Sequence, residues 1–241
     1  MTIRNRIREL DIPKRSASDA RMRYPKQDFS GNILEKAYVL GFRLGDLNVY
    51  QTSSRSDLII VRCHTSQSVQ VDLMKVLFST YGRITVSDSI YGYNINCYLN
   101  KTFAFLLPKH RKIPKWITEV EGAPWSFIAG YVDAEGYFGL NQFKARFKID
   151  SYDIYILQGI VYILQKWSID VKFRQIATQG QPQYSAGIFH KDLWRLDINE
   201  ARSLLSFIQR VSPYIKHKKR KTDMIKCQNN IQDRIKRGTI L

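Results

Sequence analysis

Two segments of this chain carry the same stripe of small residues. Within residues 37–46 an apolar run places Ala37, Gly41 and Gly45 four positions apart, and within residues 126–135 Ser126, Gly130 and Ala134 repeat the spacing. On a helix this spacing lines the small residues along one face, so that a second helix can approach to backbone contact. Each run closes on a carboxylate in the same register, Asp46 directly after Gly45 and Glu135 directly after Ala134. One such stripe is ordinary helix packing. Two with matched acids predict a helix pair packed stripe to stripe, with both carboxylates at one end.

That placement has an electrostatic cost. The last turn of a helix is the negative end of its macrodipole, which disfavours an anion by roughly 0.3–1 kcal/mol. Two adjacent carboxylates also raise each other's pKa. A divalent cation removes both penalties, and Mg²⁺ prefers carboxylate oxygens, completing its shell with water and phosphate oxygens. The matched acids therefore read as a metal site.

The segments 39–47 (Val-Leu-Gly-Phe-Arg-Leu-Gly-Asp-Leu) and 128–136 (Ile-Ala-Gly-Tyr-Val-Asp-Ala-Glu-Gly) resemble the two motifs of a LAGLIDADG homing endonuclease. The second copy is close. The first departs at Leu44, where the motif has its first Asp, and at Leu47, where it has its final Gly. The resemblance spans about residues 33–237 and implies the single-chain, two-motif type. It places the metal at Asp46 and Glu135, with the adjoining Gly45 and Ala134 in the same site, and implies Mg²⁺ or Mn²⁺ as cofactor, with Ca²⁺ binding but not supporting cleavage. The implied fold is α+β: two pseudo-symmetric αββαββα repeats packed through their motif helices beneath a concave antiparallel β saddle. The implied partner is a non-palindromic double-stranded DNA of about 20 base pairs, two turns of roughly 10 each, cut on both strands to leave 3′ overhangs. No obligate protein partner is implied.

Composition agrees with a polyanionic partner. The formal charge is +17 and the pI about 9.8, which points to nucleic acid rather than a small substrate. No apolar run approaches the roughly 18 residues of a membrane span, and the N-terminus lacks the apolar core of a signal peptide. Three scattered cysteines without metal-ligand spacing suit an intracellular, reduced protein. With 44% hydrophobic and 12% aromatic residues the chain is expected to fold rather than remain a basic tail.

Residues 1–32 are polar and basic and read as an extension that partly orders on DNA, with a disordered solubilising tail as the alternative. The first repeat, 33–121, follows its motif with strands at 48–52 and 58–63, a Ser-capped helix at 66–81, and a hairpin of 83–89 with 93–99 around Tyr91-Gly92. Residues 103–107 and 109–116 close it, and 116–124 form a linker. The second repeat, 122–241, has strands at 137–141 and 144–149, a helix at 151–167 capped by Ser151, strands at 171–176 and 184–189 around Gly180-Gln181-Pro182, and helices at 199–211 and 216–237. A weak internal repeat of this kind is expected when a symmetric dimer is fused into one chain.

Alternation along the strands predicts which surface meets the DNA. Gln142, Lys144, Arg146 and Lys148 share one face against Phe143, Ala145, Phe147 and Ile149, and Lys172 and Arg174 alternate similarly. In the first half Asn94, Asn96 and Tyr98 oppose Ile95, Cys97 and Leu99, while Arg83, Thr85 and Ser87 oppose Ile84 and Val86. Such a half-buried sheet suits base-edge readout in a major groove. The basic run 216–221 resembles the segment that leads into the family's last helix, where a lysine approaches the scissile phosphates. Lys218 is the candidate, with Lys112 as its first-half counterpart. At the strand-to-helix junctions the resemblance adds solvent-organising positions, with His64 beside Arg62 and Thr65 in the first half, and Lys148 and Asp150 in the second. The expected function is a site-specific DNA endonuclease. An RNA maturase acting on a host intron and a DNA-binding regulator without chemistry share the scaffold. An intein does not fit, because the splicing residues are missing from the ends of this sequence.

Overall fold

The computed structural model describes residues 3–12, 24–183 and 187–240, with side chains from residue 5 onward. A short helix α1 (Ile3–Glu9) is followed, beyond residue 23, by a segment that is bound to the core. Gln27 N donates to Tyr81 O at 2.9 Å, and Phe29 N donates to Thr102 Oγ1 at 2.9 Å. The Phe29 ring lies 5.3 Å from those of Phe103 and Phe105. Residues 27–32 thus pack with the first half, although the sequence grouped them with a basic extension.

Helix α2 (Ile33–Asp46) begins at a capping box. Asn32 Oδ1 accepts from the Leu34 and Glu35 amides, and Glu35 Oε2 accepts from the Asn32 amide. Strands β1 (Asn48–Gln51) and β2 (Ile59–Thr65), helix α3 (Ser68–Phe78), and the hairpin β3 (Arg83–Ser89) with β4 (Gly92–Leu99) complete a four-stranded antiparallel sheet of order β1-β2-β4-β3. A 3₁₀ segment (Lys101–Leu106) and a five-residue helix α4 (Lys115–Glu119) lead to α5 (Ala123–Glu135). The order then repeats as β5 (Gly136–Asn141), β6 (Lys144–Ser151), α6 (Ile154–Lys166), β7 (Lys172–Ala177) and β8 (Leu193–Ile198), in a second antiparallel sheet of order β5-β6-β8-β7. Helices α7 (Ala201–Val211) and α8 (Lys218–Lys236) end the chain. The mixed α/β architecture with two matching sheets is the expected one. The halves differ at their ends, because among the described residues the first has no helix comparable to α7 or α8.

Helices α2 and α5 form the core contact, and the small residues account for it. A Cβ built on Gly41 would lie 2.0 Å from Phe127 O, and one built on Gly130 would lie 2.0 Å from Tyr38 O. Each glycine thus admits the partner's carbonyl. Ser126 Oγ donates to Leu34 O at 2.6 Å at one end of the stripe. The inner sheet faces bury Val61, Cys63, Ile95 and Cys97 in the first half and Ala145, Phe147, Ile149 and Leu196 in the second.

Several local expectations need correction. Helix α3 starts at Ser68 after Gln67 and ends at Phe78, and Ser66 does not cap it; the Gln67 amide bonds Thr65 Oγ1 instead. Ser151 ends β6 rather than capping α6, and its Oγ accepts from Tyr131 Oη at 2.8 Å and from the Asp153 amide at 3.1 Å. Gln142 and Phe143 are not strand residues. They form a two-residue turn with φ of 49° and 60°, the positive values of a type I′ hairpin, and the Phe143 side chain is exposed. The turn is braced by Asn230, which donates to Phe143 O and accepts from the Ala145 amide. Val86 is exposed rather than inward. Of the strand expected at 184–189, residues 184–186 lie outside the described residues. The partner of β7 is Leu193–Ile198, which the sequence left unassigned. The expected linker contains α4, with Ile117 buried.

Candidate metal centre and nucleic-acid face

Asp46 is the last residue of α2 and Glu135 the last of α5, so the packing of the stripes brings the acids together. A Cβ on Gly45 would lie 2.4 Å from the Ala134 Cβ and 3.5 Å from Glu135 Oε1. The penultimate residue of each helix therefore touches its counterpart, and Glu135 reaches over the end of α2. Gly45, Asp46, Ala134 and Glu135 form one cluster, all half-buried.

Burial pushes the Asp46 carboxyl up to about 6, against a hydrogen bond from Gln70 and the charge of Arg220. Burial likewise pushes Glu135 up to about 7, reinforced by the negative charges of Asp46 and Asp153 and opposed by Arg220 and Lys109. The Gln70 bond is short, Nε2 to Asp46 Oδ2 at 2.6 Å, and comes from the first turn of α3. Two carboxyls raised by burial, Glu135 further by the charge of Asp46, are relieved by a divalent cation. Among the described residues no three His, Cys, Asp or Glu side chains form a group able to hold a metal. Two carboxylates fit Mg²⁺, which keeps several waters and takes further oxygens from phosphate. The donor set fits a phosphate-associated cation rather than an all-protein cage.

Asp133, two residues before Glu135, has a different task. Its Oδ2 accepts from Tyr38 Oη at 2.6 Å, from the Lys216 amide at 2.7 Å and from the His217 amide at 3.0 Å. It thereby fixes the segment leading into α8 to the helix pair. His217 Nδ1 then accepts from the Arg220 amide and caps α8. Arg220 follows one turn inside, half-buried, with its Nε buried and without a hydrogen-bond partner among the described residues. Its charge acts on Asp46, Asp133 and Glu135 alike. Burial alone would have pushed Asp133 higher than the value of about 6 at which these bonds hold it.

Both lysines expected to face the phosphates are exposed. Lys218 is exposed at the start of α8, and Lys112 Nζ sits 5.9 Å from the Tyr155 ring on α6. Arg220 acts on both carboxyls of the pair, and Lys109 acts on Glu135. Neither stands out in sequence, since both sit in basic runs with near-identical neighbours. His64 lies on the outer sheet face with Nε2 3.2 Å from Ser89 Oγ.

The outer faces carry the remaining expected residues. Cross-strand register aligns Arg62, Asn96 and Thr85 in one row, His64, Asn94 and Ser87 in the next, and Tyr98 with Arg83. Arg62 Nε donates to Asn96 Oδ1 at 3.0 Å, and Arg83 stacks 4.2 Å from the Tyr24 ring. In the second sheet a polar groove of about 640 Å³ is lined by Arg146, Lys148, Lys172, Arg174, Arg195 and Asp197, among others. Lys144 is exposed at the β6 end of the braced hairpin, with Gln142 in its turn. Arg146 donates from Nη1 to Asn199 O at 2.6 Å. Arg195 escaped the sequence reading because β8 did. No helix among the described residues is long and apolar enough to cross a membrane.

Comparison with known proteins agrees with the fold. The uncharacterised protein MJ0398 of Methanocaldococcus jannaschii is 23% identical over 193 residues, covering 77% of this chain and 69% of that protein. The structure of I-DmoI in complex with DNA and Mn superposes with a TM-score of 0.53 at 17% identity, over 77% of this chain and 99% of the other. Mesophilic variants of the homing endonuclease I-DmoI give a TM-score of 0.50 at 16% identity, over 76% and 91%. I-DmoI has also been solved with DNA and Ca. At these identities the likeness is one of fold. Residues 124–212, from the start of α5 to the end of α7, match the LAGLIDADG-like domain family.

Proposed function

We propose that this chain is a site-specific DNA endonuclease that hydrolyses both strands of a long, asymmetric duplex. The observation that carries the reading is the pair Asp46 and Glu135, held side by side at matched helix ends by a backbone-to-backbone contact. Packing alone gives no reason to end both helices on acids that burial and mutual repulsion make costly. A divalent cation held by the two carboxylates would supply charge neutralisation at the cleaved phosphate and an activated water. Gln70 orients Asp46 through its hydrogen bond to Oδ2. Arg220 and Lys109 temper the negative field, so a phosphate can approach a site that would otherwise repel it. Lys218 and Lys112 extend that positive field outward along the DNA. The repeat boundary falls between α4 and α5, so each half contributes one acid and one sheet. Mg²⁺ or Mn²⁺ is the expected cofactor, which the I-DmoI complexes with Mn and Ca support by analogy of fold.

The test is plasmid cleavage beside a gel-shift titration with Asp46→Asn and Glu135→Gln. Both variants should bind and neither should cut. Cleavage at the parental rate by either removes the assignment.

A binding-only reading rests on one observation, that Leu44 stands where the second helix has Asp133, so the first half lacks the second half's clamp. The intact acid pair weighs against it. Cleavage of a selected target by the parent chain decides between the two.

A further inference from the structure

The outer face of the second sheet carries acids where a polyanion is expected to lie. Register sets Lys148, Asp197 and Lys172 in one row and Asp150, Arg195 and Arg174 in the next. Arg195 donates from Nε to Asp150 Oδ1 at 2.6 Å and from Nη2 to Asp150 Oδ2 at 2.7 Å. Lys148 Nζ donates to the same Oδ2 at 3.1 Å. The side chains of Asp150 and Arg195 are 28% and 26% exposed, so the pair is neither sealed nor on an open rim. Arg195 also lines the groove over this sheet.

A surface built only to hold phosphates gains nothing from Asp150, which repels them. Its effect is on Arg195. A guanidinium presents five donors in a rigid plane. Asp150 occupies the edge formed by Nε and Nη2, which fixes the plane. The end edge, one hydrogen from each Nη, points away from Asp150 and makes no hydrogen bond among the described residues. That edge matches two adjacent acceptors, and in the major groove only guanine offers them, through O6 and N7. Adenine pairs its N7 acceptor with an N6 donor, which a guanidinium cannot satisfy. Arg174 is bonded to Asp197 through Nη1 alone and is about half exposed, so its plane is not fixed in this way.

We propose that Arg195, oriented by Asp150, reads a guanine in the half-site that lies on the second sheet. The assignment rests on the DNA-recognition reading above. Arg195 is the specificity-determining residue and Asp150 its positioning residue.

The experiment is selection of bound duplexes from a randomised double-stranded DNA library by the full chain, with chelator present so that nothing is cut. The parent should enrich a sequence with one guanine preferred on the order of 10-fold or more over other bases. Arg195→Lys keeps the charge but lacks the fork, and should weaken that preference while preferences elsewhere persist. Arg195→Gln should shift the position towards adenine, and provides the answer if the lysine variant does not fold. Asp150→Asn should blunt the same position and Asp150→Glu should restore part of it, which a merely structural role would not produce. Unchanged consensus in both Arg195 variants, or loss at a base other than guanine, overturns the assignment. A parent chain that enriches no duplex sequence overturns the DNA-recognition reading, and this assignment with it.

Discussion

Asp133 and Leu44 occupy matching positions in the two packed helices, yet only Asp133 has anything to bind. Its Oδ2 gathers three donors from α2 and from the segment leading into α8. Tyr38→Phe removes one donor and should cost about 1 kcal/mol, whereas Asp133→Leu strands all three and should cost on the order of 3 kcal/mol or more. Denaturant titration measures both, and equal costs would mean that the clamp is not cooperative. The acid pair gives a second, pH-dependent expectation. Asp46 and Glu135 stand at about 6 and about 7 in the folded chain, above their ordinary values of 3.8 and 4.5. The native state therefore holds protons that the unfolded state has released. Metal-free stability from these groups is full below about pH 4 and is lost as pH rises to about 7. Asp46→Asn with Glu135→Gln should stabilise the metal-free chain at pH 8 by about 2 kcal/mol or more and change little at pH 4. Melts in chelator at the two pH values check the sign, and a gain confined to pH 4 contradicts it. The acids themselves were legible in the sequence because register alone places them. Gln70, Arg220 and Lys109 were not, because what selects each from its neighbours is tertiary position.

At the scale of elements, the stripe carries the most weight for the fewest atoms. Gly41→Leu or Gly130→Leu drives a side chain into a carbonyl 2.0 Å from the new Cβ. The usual overpacking cost of about 1–3 kcal/mol is a floor here, since backbone has to move. Either variant should lower the melting temperature sharply and abolish DNA binding, and parental melts would mean that the helices do not meet as described. This helix pairing could be read from spacing, as could most strands, because alternation reports a half-buried sheet directly. Strand β8 escaped for an identifiable reason. Its outward residues Arg195 and Asp197 look like loop polarity until Asp150 and Arg174 are seen beside them. The caps were also misplaced. Ser66 and Ser151 carry the right chemistry, but Ser66 makes no cap bond to α3 and the Ser151 hydroxyl is used by Tyr131.

At the scale of the whole molecule, the two halves share a plan but not a chemistry. The first sheet presents mainly amides, hydroxyls and rings, while the second presents a lattice of paired charges. Lys144 and Lys172 are exposed and form no ion pair among the described residues, whereas Arg174 is bonded to Asp197. Every phosphate that a substitution leaves without its cation flattens the dependence of log K on log salt by about 0.9. Lys172→Ala should flatten that slope by more than Arg174→Ala does, and Asn94→Ala with Asn96→Ala should alter base preference instead. Fluorescence titrations across a salt series measure this. A larger effect from Arg174 would show that its ion pair opens on binding. The helix joint has a consequence of its own. Because Gly41 and Gly130 meet backbone rather than particular side chains, the joint places few demands on what either sheet displays. A half taken from a distant relative with the same small-residue helix should therefore dock onto the remaining half of this chain. The seam between α4 and α5 becomes the natural crossover for hybrids, and two sheets of separate ancestry could be combined to address a target neither parent recognises.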